Sequence, residues 1–72
     1  MNTTREIARI AGWANDITAR RGRGEEIPGA ELLDYQRAKV VLLAAIAERD
    51  PSPEADETLA AARAQLAAME RA

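Results

Sequence analysis

Residues 28–49 read PGAELLDYQRAKVVLLAAIAER, and this stretch decides the fold. Its apolar residues fall into two seams. One is Leu32, Tyr35, Leu42 and Ile46; the other is Leu33, Val40, Leu43 or Ala44, and Ala47. At 100° per residue the two seams together span about 200° of a helical wheel. A helix with one narrow apolar stripe packs against one neighbour, whereas an arc this wide serves two. The pattern therefore predicts a central helix flanked on both sides. Gln36 and Lys39 are the only polar interruptions of the arc. Pro28 suits the first helical turn, where its missing N–H would be unpaired anyway. Ile27 is placed to fold back as a hydrophobic staple.

Upstream, residues 4–21 carry Ile7, Ile10, Ala14 and Ile17 at spacings of three and four, with Ala11 and Trp13 at the margins of the stripe. This predicts an amphipathic helix. Thr3 or Thr4 is its expected cap, Glu6 lies in its first turn, and Gly22 is its expected left-handed end. Downstream, Asp50-Pro51-Ser52-Pro53 cannot continue a helix. Ser52 can cap a third helix over 53–71, with Pro53 at its first position and Glu54, Asp56 and Glu57 meeting the positive end of its dipole. That helix has a narrow seam of Ala55, Leu59, Ala62, Leu66 and Met69, at coiled-coil spacing. Away from the seam it is mostly Ala, which lets another helix approach closely.

The expected fold is all-α. It is one small domain over residues 1–72, a helical hairpin plus a third helix (about 4–21, 28–49 and 53–71). Short connectors make successive helices antiparallel neighbours. Composition agrees: Ala is the commonest residue, and Ala, Glu, Lys, Leu and Arg dominate a chain of 72. Large apolar side chains are few for a chain this short. Chains of this size commonly add disulfides, a metal or a second copy. With neither Cys nor His, the first is impossible and the second has no Cys or His ligands. A small antiparallel bundle completed by dimerisation is the expected solution.

The same absences exclude a Cys nucleophile, a Ser–His pair and a Glu-x-x-His metal motif. The carboxylates cluster at helix starts, where the dipole accounts for them, and lack EF-hand spacing. No cofactor or metal is expected. A buried Lys39 could in principle serve as a catalytic amine, but a thin helical hairpin offers no pocket for a carbonyl substrate. A polar residue in a seam more often fixes register or oligomer state. The expectation is a chain that is not an enzyme. It has no run of apolar residues long enough to span a membrane, and Met1–Ile10 lacks the apolar core of a secretory signal. Cytoplasmic residence follows as the default. Nine Arg against one Lys, with the excess of Ala, suggests a GC-rich genome.

Two functional readings remain. The first is a helical protein–protein interaction module, a small accessory or regulatory protein that works by self-association or by binding a partner helix. Its candidate anchors are Trp13, Tyr35, Leu42, Ile46, Leu59, Leu66 and Met69. Trp and Tyr are enriched at interaction hot spots, although they serve a core equally well. A Leu66→Asp change is expected to abolish association.

The second reading is nucleic-acid binding. Residues 1–24 carry five Arg against Glu6 and Asp16, whereas the remainder carries five basic and ten acidic side chains. Arg20, Arg21 and Arg23, flanked by Gly22 and Gly24, could contact phosphates, with Arg5 and Arg9 behind them. Attraction to the negative end of the first helix explains Arg20 and Arg21 without a ligand, and Glu25 and Glu26 are near enough to screen the cluster. The order helix, glycine turn, helix resembles a helix-turn-helix only in outline. The loop is too long, and the second helix is too apolar to read bases.

Overall fold

The computed structural model describes residues 2–72. Three α-helices follow one another: α1 (Thr3–Gly22), α2 (Gly29–Arg49) and α3 (Pro53–Arg71). No strand occurs among the described residues. Each observed end lies within a residue of the sequence expectation.

The helix ends show where local chemistry departs from that expectation. Asn2, not Thr3 or Thr4, caps α1: its Oδ1 accepts from the Arg5 N–H at 3.1 Å. An amide one residue earlier outcompetes the threonine hydroxyls and adds Thr3 to the helix. At the other end, Gly22 is still helical, and the left-handed residue is Gly24, at φ +82°. The Glu25 N–H reaches the Arg20 carbonyl and the Gly24 N–H reaches Arg21, both at 3.0 Å. These two bonds make a Schellman ending with Gly24 as its left-handed residue. Pro28 stands one place before the first helical residue of α2, and its carbonyl accepts from Glu31 and Leu32. Ile27 before it is buried, as a staple residue should be. Ser52 caps α3 as its sequence indicates, with Oγ accepting from the Ala55 N–H at 3.0 Å.

α2 is central. α1 and α3 each pack on it, and no Cα of α1 comes within 8 Å of one in α3. On the α2 wheel, residues that reach α1 (Glu31, Tyr35, Arg49) and those turned to α3 (Gln36, Ala47) lie roughly 130° apart at 100° per residue. Three mutually touching helices with equal spacing would give about 60°. The molecule is therefore an open, shallow layer of three helices, 38 × 29 × 19 Å. Its radius of gyration is 13.1 Å, against about 11 Å for a compact domain of this length. Its accessible surface is 4978 Å², against about 4,400 Å² for a compact chain of its mass. Among the described residues only five large apolar side chains are buried: Ile10, Ile17, Ile27, Leu42 and Leu59. Ala47 and Ala62 fill the close α2–α3 approach.

Candidate interaction surface

The α1–α2 contact is organised by Glu31. It is the third residue of α2, where a carboxylate usually turns back to the cap N–H. The cap here is Pro28, which has no N–H. Glu31 is thus free to reach across, and both its oxygens are used. Oε2 accepts from the Trp13 indole N–H at 3.0 Å, and Oε1 from Arg20 Nη1 at 3.0 Å, with a further bond from Arg20 Nη2 to Oε2. Arg20 also pairs with Asp16 at 2.9 Å, and its Nε is buried without a partner. Trp13 then meets Tyr35 edge to face, with ring centroids 5.4 Å apart, a favourable aromatic geometry. The Arg20 guanidinium, followed by the Trp13 N–H, holds the Glu31 carboxyl down at about 2 from its ordinary 4.5. The reciprocal bond from Glu31 raises Arg20 above its ordinary value.

This arrangement changes the reading of the arginine cluster. Arg20 is committed to Glu31 and Asp16. Arg23 donates to Glu25 at 2.8 Å, and Arg9 to Glu6. Of the five arginines in the first 24 residues, only Arg5 and Arg21 have no ion pair among the described residues. Arg9 and Arg23 hold only exposed pairs, so Arg20 is the one member of the cluster tied into a partly buried contact.

The candidate anchors divide in the same way. Leu42 and Leu59 are buried within the chain, so they present nothing to a partner in this conformation. Leu66 shares the α2-facing stripe of α3 with Leu59 and Ala62, so a charge there would disturb the fold before it reported on association. Trp13 and Tyr35 are half-buried in the α1–α2 contact. Ile46 and Met69 are likewise half-buried, and Met69 lines the groove between the flanking helices.

Between the two flanking helices lies a groove of about 370 Å³. Ala14, Ile17, Thr18 and Arg21 line its α1 side, Leu32, Tyr35 and Gln36 its floor, and Gln65 and Met69 its α3 side. Leu32, Leu33 and Met69 continue it toward the end of α3. The floor extends along α2. Leu32, Lys39, Leu43 and Ile46 fall within about 60° of one another on the wheel, and all four are partly buried. On α1, Ile7 stands one heptad before Ala14 on the groove side and is 46 % exposed. The opposite side of α2 presents Asp34, Arg37 and Glu48 around Val41, all exposed.

Gln36 is the most buried polar residue, at 3 % exposure. Its Nε2 donates to the Ala62 carbonyl at 2.9 Å, so this interruption of the apolar arc ties α2 to α3. Lys39 is half-exposed on the groove floor. No cluster of three His, Cys, Asp or Glu that could hold a metal occurs among the described residues. No helix among the described residues is long and apolar enough to cross a membrane.

Comparison with protein families, with curated proteins and with solved structures gives no match.

Proposed function

We propose that this chain is a non-enzymatic helical interaction module, a small cytoplasmic accessory or regulatory protein that works through an apolar helical face, by self-association or by binding a partner helix. One observation carries the reading. The three helices form an open layer whose apolar residues on one side, Leu32, Leu43, Ile46 and Met69, are only partly buried, with Ile7 exposed beside them. Domains are built from at least two packed layers around a core, and here a single chain supplies one. The concave face is mainly apolar, with cations at two points, Lys39 on its floor and Arg21 on its α1 wall.

Light scattering on a sizing column, over a dilution series at two salt concentrations, tests this. Association through an apolar face gives a mass above 7.8 kDa that falls on dilution and changes little with salt. Nucleic-acid binding through Arg5 and Arg21 would instead weaken steeply with salt. Salt-sensitive binding of an oligonucleotide by a strictly monomeric chain would replace this reading with that one.

A further inference from the structure

We infer that the concave face is the contact between two copies of this chain, stacked face to face as a two-layer, six-helix bundle. The inference rests on the interaction-module reading and names its partner. Three observations lead there.

The first is area. The chain exposes 4978 Å², roughly 600 Å² more than a compact chain of its mass. Two copies together carry roughly 1,200 Å² of such excess, which clears the roughly 1,000 Å² total that a specific interface needs. The 38 × 29 Å extent of the layer also has room for the roughly 800 Å² per partner of a standard interface. The second is side-chain pattern. Leu32, Lys39, Leu43 and Ile46 follow heptad spacing along the floor, and Ile7 and Arg21 lie at the two ends of the α1 wall. Such a stripe suits a facing helix of the same kind, and an isologous contact lets one patch serve both partners. The third is contrast with the other side of α2. There Val41, 61 % exposed, stands alone among Asp34, Arg37 and Glu48, and isolated exposed apolar residues are ordinary surface.

Lys39 is the informative residue. It lies at the middle of α2 and of the floor. A polar residue at one seam position fixes register at a cost in stability.

The experiment measures dimer dissociation by sedimentation equilibrium of the full chain and three variants, with helix content followed by circular dichroism. Leu43→Glu is expected to weaken the dimer at least 100-fold, since a charge at the centre of an interface is desolvated in both copies. Lys39→Leu is expected to tighten it about tenfold, because the polar interruption is removed. Val41→Glu, the same charge on the opposite side of α2, is expected to leave it unchanged. Because Lys39→Leu strengthens association, the inference stays open to failure even if Leu43→Glu does not fold. A dimer that ignores both Leu43→Glu and Lys39→Leu, or that Val41→Glu dissociates, overturns the concave face while self-association stands. A wild-type chain that stays at 7.8 kDa at every concentration overturns the second copy as partner, and with it self-association.

Discussion

The two contacts that α2 makes are built from different materials. Toward α1 it adds a carboxylate, a guanidinium, an indole N–H and an aromatic pair to the buried Ile10 and Ile17, with Arg49 reaching Thr3 at 2.7 Å near the far end. Toward α3 it uses close apolar packing around Leu59, Ala62 and Ala47, with one buried amide bond from Gln36. The first contact is directional and titratable. The second depends on shape and on small residues that let the helices approach. Acid should therefore loosen α1 while leaving α3 in place.

The largest effect is expected at the apolar contact. Leu59 is buried where α3 meets α2. Leu59→Ala should cost about 2–4 kcal/mol, the loss of transfer energy plus a cavity that surrounding residues fill only in part. Urea unfolding at fixed protein concentration, followed by helix signal, measures it. A loss below about 1 kcal/mol would show that α3 is not held by this packing.

The next effect is confined to the polar contact. The folded carboxyl of Glu31 titrates at about 2 and its ordinary value is 4.5. Between these values the folded chain binds fewer protons than the unfolded one, so stability falls as pH falls. The contribution is fully present above pH 4.5 and is lost as pH drops through about 2. Emission from Trp13, the only tryptophan, should follow this loss directly, because its N–H donates to Glu31. Glu31→Gln should remove the transition. It should also leave Arg20 without its main counter-charge, so α1 detaches more readily at neutral pH. An acid transition of the same size in Glu31→Gln would place the titrating group elsewhere.

Much of this division could be read in the sequence, and the reasons are local. The 200° arc of α2 announced two neighbours, and both are there. Asp50-Pro51-Ser52-Pro53 ended one helix and capped the next through groups within three residues of each other. The details that escaped depend on relations between distant residues. Glu31 stands in the first turn of α2, where the helix dipole alone would account for an acid. Its reach to Arg20 and Trp13, 11 and 18 residues away in sequence, depends on how α1 crosses α2. A signal was present: an acid at the third helical position behind a proline cap has no cap N–H to accept from. The splay of α1 from α3 was not readable either. Periodicity reports how wide an apolar arc is, but the same arc fits a closed triangle and an open layer. Leu42 and Leu59 looked like anchors for a partner because a stripe does not say whether its partner is in the same chain.

The smallest effects sharpen the comparison from the α3 side, where two polar links coexist with the packing. Gln36 is buried and donates to the Ala62 carbonyl, which lies inside α3 and is positioned to accept a helical bond as well. Gln36→Leu keeps most of the volume and leaves that carbonyl its helical donor. Replacing a buried hydrogen-bonding group with an apolar one of similar shape is nearly neutral when no partner is orphaned. The expected change is within about 1 kcal/mol in either direction, with association unaltered. Arg37 and Glu70 form the other link, at 3.3 Å with both side chains about half exposed. Exposed pairs of this kind are screened and carry little stability, so Glu70→Gln should not shift the urea midpoint measurably. If instead Glu70→Gln lowered stability as much as Leu59→Ala, the α2–α3 contact would be electrostatic like its counterpart. The distinction between a titratable side and a packed side of α2 would then fail.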